Sequence, residues 1–252
     1  MKRKLVAICG KGGAGKTTIS AIIARLLYKD WRYRALFVDA DPAGGLCTAI
    51  KISVKSSIEE VRRATASEIK KATNKRDLLL SVDYFLMEAI TEVENLAFLW
   101  IGRPLDKGCY CKVNSLLKDA LGFLANKFPL VIIDAEAGIE QINRNVMERV
   151  EHLIIISDCS VKGLTVAEAI AETAKRVSGI NSCSLLFNRV SEEEVEAIKT
   201  RTTIPIIGWT PEDKTVQQFD MNQISFLDFP SSAPICGAVG SVLNKILFAS
   251  SM

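Results

Sequence analysis

The chain has 252 residues, of which 48% are hydrophobic and 24% are charged, and its formal net charge is +3. This length and apolar content allow one large α/β core or two small ones. The charge is too small to argue by itself for a nucleic-acid partner. No stretch approaches the roughly 20 apolar residues of a membrane span, and the apolar run Leu5–Cys9 is too short for a secretion signal.

Seven cysteines are distributed along the chain: Cys9, Cys47, Cys109, Cys111, Cys159, Cys183 and Cys236. Only Cys109 and Cys111 lie close together in the sequence. An odd and mostly scattered set predicts free thiols in a reducing compartment. We therefore expect a cytoplasmic protein with neither a membrane nor a nucleic-acid partner.

Apolar runs of strand length alternate with helical patterns along the chain. The predicted strands are 4–9, 34–39, 96–101, 129–134, 152–157, 182–188 and 204–208, and the predicted helices are 16–29, 113–127, 163–178, 191–200 and 233–248. This alternation predicts an α/β fold with a mostly parallel central sheet and helices on both faces. Residues 51–90 interrupt it with helix-forming and charged residues, so we predict a helical insert within one domain over 1–252. That insert is either a solvated helical face or a docking surface for an acidic partner.

A glycine-rich loop joins the first strand to the first helix. Its sequence, GKGGAGKTT, fits the phosphate-binding pattern G-x-x-x-x-G-K-[ST]. Glycines let backbone N–H groups approach phosphate oxygens, and the N-terminus of the helix favours the same anion. We expect Lys16 to reach the outer phosphates and Thr17 to bind Mg²⁺, within a nucleotide-binding set of Gly10, Lys11, Gly12, Gly13, Ala14, Gly15, Lys16, Thr17 and Thr18. The alternative is a turn that merely joins strand to helix.

The second strand ends near two carboxylates, Asp39 and Asp41. Both side chains point the same way if the strand continues through them. The carboxyl end of a parallel strand is where ligands bind in open α/β sheets. We expect Asp41 to position the attacking water beside the terminal phosphate and Asp39 to support the Mg²⁺ shell. The alternative is an acidic turn before Pro42.

The pair Cys109 and Cys111 forms a C-x-C motif. Cysteine thiolates are soft ligands for Zn²⁺ or Ni²⁺. One motif supplies half of a tetrahedral site, and two chains meeting on a two-fold axis would complete it. Two buried thiols or a redox pair remain alternatives.

The strand 129–134 ends in Asp134, the carboxylate that usually completes a phosphate-loop site through the water shell of Mg²⁺. Gly138, in the loop that follows, is placed to sense the terminal phosphate, which is a common basis of a switch. Phosphoryl transfer needs positioning and charge neutralisation more than covalent chemistry. Lysines, Mg²⁺ and carboxylates are therefore sufficient for phosphoryl transfer.

The strand 182–188 ends in Asn188, followed by Arg189. An asparagine amide donates and accepts hydrogen bonds at once, which suits the edge of adenine. No guanine-type N-K-x-D motif starts at this asparagine, because residues 188–191 are Asn-Arg-Val-Ser, so we favour ATP. We expect Pro211 and Glu212 to close over the base. Asn188 as a plain strand cap is the alternative, and we expect the single histidine, His152, to be structural.

The two loop lysines, Lys11 and Lys16, together with Asp39-Ala-Asp41-Pro, resemble the deviant P-loop ATPases of the MinD/ParA type over nearly the whole chain. The resemblance implies a mostly parallel sheet wrapped by helices and two subunits that close face to face on ATP. It also implies catalytic roles for Lys11, Lys16 and Asp41, with Lys11 contacting phosphate at or across the dimer interface.

The string from Ile101 to Asn114, together with Asp134-Ala-Glu-Ala-Gly138 and Asn143-Arg144, is similar to the CooC-type maturation factors of carbon monoxide dehydrogenase and acetyl-CoA synthase. This resemblance implies a nickel-insertion ATPase whose C-x-C pair, Cys109 and Cys111, binds metal at a homodimer interface. Cys159, Lys162 and Asn222 depart from that pattern, where proline, arginine and glycine are usual.

Two other classes of function stay open. A positioning ATPase that acts on DNA or membrane shares the phosphate loop, but the segment 239–252 carries one lysine and reads as core packing rather than as a basic amphipathic helix. An electron-transfer ATPase with an iron–sulfur cluster between subunits would need a cysteine in the loop after Asp134, and no cysteine occurs between that residue and Cys159.

Overall fold

The computed structural model describes residues 4–69, 82, 84–103, 122, 124–135, 150–176 and 179–248. The strands are β1 (Lys4–Gly10), β2 (Ala35–Asp39), β3 (Thr91–Val93), β4 (Leu96–Trp100), β5 (Leu130–Asp134), β6 (His152–Ser157), β7 (Cys183–Asn188) and β8 (Ile206–Thr210). The helices are α1 (Lys16–Leu27), α2 (Gly45–Ala49), α3 (Ile58–Ile69), α4 (Val161–Arg176), α5 (Glu192–Ile198), α6 (Lys214–Met221) and α7 (Pro234–Phe248), with 3₁₀ turns at Lys199–Arg201 and Phe226–Asp228.

Among the described residues, the strands form one eight-stranded sheet in the order β3-β4-β2-β5-β1-β6-β7-β8. The neighbours pair in parallel, except that β3 runs antiparallel to β4 at one edge. The predicted α/β fold with a mostly parallel sheet is therefore confirmed. Because parallel strands end together, the carboxyl ends of β1, β2, β5 and β7 share one edge of the sheet, and Asp39 lies in register with Asp134.

The apolar core lies on both faces of the sheet. Alternate residues of β1 separate to the two sides, with Leu5 and Ala7 on one face and Val6 and Ile8 on the other. Helix α4 covers the first face, and helices α1 and α7 cover the second. Strands buried on both sides need continuous apolar runs, which is why the sequence pattern of the central strands is so clear.

Several predicted elements differ from those in the structure. Strand β8 begins two residues later than predicted, at Ile206, and ends at Thr210. Strand β3 and helices α2 and α6 were not predicted, because three to eight residues carry too little periodicity. Helix α3 and the helical residues 84–89 fall in the predicted insert, whereas residues 52–57 are not helical. Most of the predicted helix 113–127 lies outside the described residues. The five described cysteines are free, as predicted.

Candidate functional site

The glycine-rich loop leads from β1 directly into the N-terminus of α1. Gly15 precedes the helix with a φ of 97° in the left-handed region, and a Cβ there would lie 2.1 Å from the Asn188 amide nitrogen. Glycine has no side chain to cap the helix, so the first-turn amides of α1 are left for an anion. Lys16 is buried, and its ammonium donates to the carbonyl oxygen of Lys11 at 3.2 Å.

Asn188 and Arg189, at the end of β7, hold the same loop from the side. The Asn188 amide donates to the Ala14 carbonyl at 2.7 Å and accepts from the Thr210 hydroxyl at 2.6 Å. The Arg189 guanidinium donates to the Gly13 carbonyl at 2.5 Å. Asn188 therefore stabilises the glycine-rich loop in this structure, and its predicted contact with adenine stays a prediction. Thr210 belongs to the segment 209–213 that we expect to close over the base, and the pairing of β7 with β8 brings it to Asn188.

A cluster of oxygen groups lies between α1 and the end of β5. Asp134 accepts hydrogen bonds from the Thr17 hydroxyl at 2.9 Å and from the Ser20 hydroxyl at 3.0 Å. Burial raises the pKa of Asp134 to about 7, against the lowering effect of the Thr17 hydrogen bond. Ser20 was not predicted, although its i,i+3 spacing from Thr17 places both hydroxyls on one helix face. Hydroxyl and carboxylate oxygens are the donors that Mg²⁺ prefers, so this set fits that ion.

Asp39 and Asp41 do not share a strand, so the condition under which both side chains were expected to point the same way is not met. Strand β2 ends at Asp39, whose buried carboxylate accepts from the backbone N–H groups of Asp41 at 3.2 Å and Cys47 at 3.0 Å. Burial raises the pKa of Asp39. Asp41 lies in the following turn, half-buried, with Oδ1 accepting from the Ala43 N–H at 2.8 Å. The chain turns here because its backbone bonds to Asp39 rather than continuing the ladder.

An open cavity of about 930 Å³ borders the loop on the side of β7 and β8. The predicted binding residues among those that line it are Gly15, Thr17, Thr18, Asn188, Arg189, Pro211 and Glu212. Helices α2 and α6 complete the wall with residues that include Thr48, Val216 and Phe219. The structure thus brings the loop and the segment after β8 to one cavity, as expected for a nucleotide whose base lies beyond its phosphates.

Lys11 lies at the outer side of the loop, opposite the end of β6. Its ammonium is 3.8 Å from the Asp158 carboxylate, and the two side chains are 32% and 39% exposed. The Ser160 hydrogen bonds, and then the charge of Lys11, lower the pKa of Asp158. Asp158 was not singled out from the sequence. Its i+2 relation to Ser160 signals a turn, not a partner for Lys11.

Three predicted site residues, Gly138, Cys109 and Cys111, lie outside the described residues. Among the residues that the structure does describe, no group of three or more His, Cys, Asp or Glu side chains is arranged to hold a metal ion. The nickel or zinc assignment therefore stays a prediction from the sequence.

The family comparison bears on the whole of this site. Residues 3–185 match the AAA domain family AAA_31, which covers more than half of the chain. The chain belongs to this family. It is a P-loop ATPase, and the loop Gly10–Thr18, Asp39 and Asp134 all lie within the matched region.

Several curated relatives match most of this chain. An uncharacterized ATP-binding protein of Methanocaldococcus jannaschii is 28% identical, with 96% of this chain and 98% of the relative covered. The carbon monoxide dehydrogenase accessory protein CooC of Rhodospirillum rubrum is 27% identical, with 92% and 91% covered. Two MinD relatives from Guillardia theta and Chlorella vulgaris are 26% and 28% identical, each over 86% of this chain.

Solved structures share the fold of this P-loop ATPase. MinD of Pyrococcus horikoshii, complexed with Mg-ADP, aligns over 100% of this chain and 98% of its own, with a TM-score of 0.70 and 19% identity. A ParA family ATPase from Chlorobium tepidum covers 98% and 99%, with a TM-score of 0.68 and 17% identity. At these identities the likeness concerns the fold, and it confirms the expected MinD/ParA-like architecture.

A search of the described residues for membrane-spanning segments gave none: no helix among them combines the length and the apolar character that a span requires.

Proposed function

We propose that the chain is a Mg²⁺-dependent ATPase that closes as a homodimer on ATP and uses this cycle to assist nickel insertion into a client enzyme. ATP binding and hydrolysis are supported by the position of three residues from two distant segments. Lys16, Thr17 and Asp134 lie together at the N-terminus of α1. The proposed role in nickel insertion depends on Cys109 and Cys111 and on the CooC relative.

Each residue of the site receives one role in this proposal. The loop amides and Lys16 hold the outer phosphates, because a buried ammonium is a strong partner for phosphate oxygens. Thr17 would hold Mg²⁺, and Asp134 and Asp39 would bind its water shell. When bound, the ion neutralises charge on the phosphate oxygens. Asp41 orients the attacking water, and Asn188, Arg189, Pro211 and Glu212 surround the base.

The homodimer is supported by the position of Lys11. This lysine lies at the outer side of the loop and is partly exposed. The one ion pair described for it is with the carboxylate of Asp158, which is also partly exposed. An exposed ion pair contributes little stability, so Lys11 can exchange Asp158 for phosphate at small cost. A lysine side chain that can turn away from Asp158 could contact phosphate at an interface that a second subunit completes. Gly138 would report the terminal phosphate to that interface.

The nickel role is supported by the C-x-C motif and by one relative. The Rhodospirillum rubrum protein is named as an accessory protein of carbon monoxide dehydrogenase, and it matches 92% of this chain over 91% of its own length. Two thiolates from each chain of a dimer give the four soft ligands that Ni²⁺ or Zn²⁺ accepts. We propose carbon monoxide dehydrogenase or acetyl-CoA synthase as the client class and the cytoplasm as the site of action.

A MinD/ParA-like positioning ATPase is the second candidate, and the MinD relatives favour it. Helix α7 packs against the core of the fold. Its residues Val239, Val242 and Ile246 are buried in the core beside α1, so its apolar face is already occupied.

Nucleotide-dependent association separates the proposal from a monomeric ATPase. Sedimentation velocity of the wild-type chain with Mg-ATP, with Mg-ADP and without nucleotide should give a dimer with Mg-ATP alone. Lys16→Ala should stay monomeric in all three conditions. Lys175→Ala is the matched control, because Lys175 is an exposed lysine at the end of α4. This variant should dimerise like the wild type. A wild-type chain that stays monomeric with Mg-ATP would overturn the proposal.

A further inference from the structure

Trp100, the last residue of β4, contacts the turn that carries Asp41. Its indole Nε1 donates to the carbonyl oxygen of Asp41 at 3.0 Å. The same carbonyl accepts from the Gly44 N–H at 2.9 Å, which closes the β-turn over residues 41–44. One oxygen therefore receives both the hydrogen bond that shapes the turn and the hydrogen bond that fixes the turn to β4.

The indole also packs against the far end of that turn. Gly44 has a φ of 70°, in the left-handed region, and a Cβ there would lie 3.3 Å from two atoms of the indole. The backbone at Gly44 thus lies directly on the ring, and a side chain at that position would be both strained and crowded. Trp100 supports the turn at two points, through a hydrogen bond at its first residue and through contact at its last.

The direction of Asp41 follows from these supports. Its backbone N–H donates to Asp39 at 3.2 Å and its carbonyl accepts from Trp100, so the main chain is held on both sides of the residue. A Cβ at Gly45 would lie 3.5 Å from Thr17 Oγ1 and 3.8 Å from Asp41 Oδ2, so both oxygens border the same point. The Asp41 carboxylate is therefore directed toward the side of the loop where Thr17 lies.

We propose that Trp100 is a positioning residue for ATP hydrolysis, which holds the turn so that the Asp41 carboxylate is aimed at the attacking water. This inference rests on the role of Asp41 under Proposed function. The described contacts of Trp100 with this site are made to the turn, at the Asp41 carbonyl and at Gly44, so Trp100 acts through Asp41. A small misplacement of a reacting group costs rate far more than binding, which gives the role a distinct kinetic signature.

Trp100→Phe is the sharpest variant, because phenylalanine retains a ring against Gly44 and removes only the N–H donor and one ring of the indole. The matched control is Trp31→Phe, since Trp31 is 69% exposed. We expect kcat of Trp100→Phe to fall roughly fivefold, the equivalent of one lost hydrogen bond, while KM for ATP stays within about twofold. Trp31→Phe should keep both constants.

Combining Trp100→Phe with Asp41→Ala tests whether the two residues act as one unit. If Trp100 works through Asp41, then Trp100→Phe should have no further effect on kcat in the Asp41→Ala background. A full additional fivefold loss there, an unchanged kcat in the single variant, or a rise in KM alone would each overturn the positioning role. If Asp41→Ala itself leaves kcat unchanged, the proposed function of Asp41 fails, and that result is distinct from a failure of Trp100.

Fluorescence gives a readout that does not depend on a variant at position 100. The chain has three tryptophans, so Trp31→Phe combined with Trp209→Phe leaves Trp100 as the single indole. We expect its emission to shift when Mg-ATP binds and to return when ATP is hydrolysed, because the turn that accepts its hydrogen bond borders the phosphate site. An emission spectrum that is identical with and without bound Mg-ATP would overturn the coupling between this turn and the phosphate site.

Discussion

The Thr17 hydroxyl donates to the Asp134 carboxylate at 2.9 Å, although the two residues lie 117 positions apart. Strand β1 lies beside β5 in the sheet, and helix α1 starts where β1 ends, so the parallel topology places this contact at the carboxyl edge. The fold itself thus holds the two groups together. Oxygen donors that the fold holds in place need little reorganisation when Mg²⁺ and phosphate bind.

Thr17→Val should raise the Mg²⁺ concentration needed for half-maximal ATP hydrolysis, because valine keeps the shape of threonine but offers no oxygen. Titration of hydrolysis against Mg²⁺ at saturating ATP measures this change. Thr173→Val is the matched control, since Thr173 donates to the Ala169 carbonyl on the exposed side of α4. An unchanged Mg²⁺ requirement in Thr17→Val would contradict the assignment of this hydroxyl.

Lys16→Ala should weaken ATP binding roughly 10- to 100-fold, because hydrogen bonds to a charged partner contribute about 1.5–3 kcal/mol. The measurement is isothermal titration calorimetry with a slowly hydrolysed ATP analogue and Mg²⁺. ATP binding by Lys16→Ala at the wild-type affinity would show that the buried lysine does not contact phosphate.

Asp41→Ala should slow hydrolysis on the order of 100-fold or more while nucleotide affinity changes little, because a group that orients water acts in the transition state. A steady-state ATPase assay combined with a binding titration separates the two effects. Asp220→Ala is a useful comparison, since it removes a carboxylate from helix α6 at the far wall of the cavity. Hydrolysis by Asp41→Ala at the wild-type rate would refute the catalytic role.

The stability of the protein should depend on pH through His152. Its ring nitrogens lie 2.7 Å from the hydroxyls of Ser182 and Ser184, and burial, with a smaller effect of Lys4, lowers its pKa below the ordinary 6.5. Between the two pKa values the unfolded chain binds more protons than the folded one. The free energy of unfolding should therefore fall as the pH is lowered through 6.5.

Urea unfolding of wild type and His152→Gln at a series of pH values checks this dependence. Glutamine cannot titrate, so the wild type should lose more stability than the variant as the solution is acidified. Parallel curves for the two proteins would show that His152 does not gain a proton more readily on unfolding.

Replacement of Cys109 and Cys111 by serine should abolish stoichiometric binding of Ni²⁺ or Zn²⁺ while ATP still binds. Cys183→Ser is the matched control, because this half-buried free thiol lies in β7, away from the C-x-C motif in the sequence. Metal analysis after equilibrium dialysis in the presence of Mg-ATP measures the difference. Equal metal content in the double variant and the wild type would refute the metal assignment.

The features that could be predicted from the sequence are those encoded locally. The glycine loop, its lysines and the aspartate that ends an apolar strand each occupy a contiguous segment, and the apolar runs of β1, β5 and β6 reveal buried parallel strands. The topology then brings these segments together, as the resemblance to MinD/ParA ATPases implied.

The features that could not be predicted depend on tertiary contacts. Trp100 contacts Asp41 only because β4 pairs with β2, and nothing near Trp100 in the sequence indicates this. The different environments of Asp39 and Asp41 depend on Cys47, whose N–H draws the Asp39 carboxylate inward. The Asn188 amide has the donor and acceptor that an adenine edge requires. In the fold, however, it donates to the Ala14 carbonyl and accepts from the Thr210 hydroxyl.

We propose that ATP-driven dimerisation forms the metal site. Sedimentation velocity of the pure protein with and without Mg-ATP and Ni²⁺, with metal analysis of each separated species, tests this directly. We expect monomers without ATP and dimers with Mg-ATP that carry one Ni²⁺ for every two chains. The Cys109→Ser, Cys111→Ser double variant should form the dimer without the metal. A wild-type Mg-ATP dimer that holds no Ni²⁺, or stoichiometric Ni²⁺ on the monomer, would contradict it.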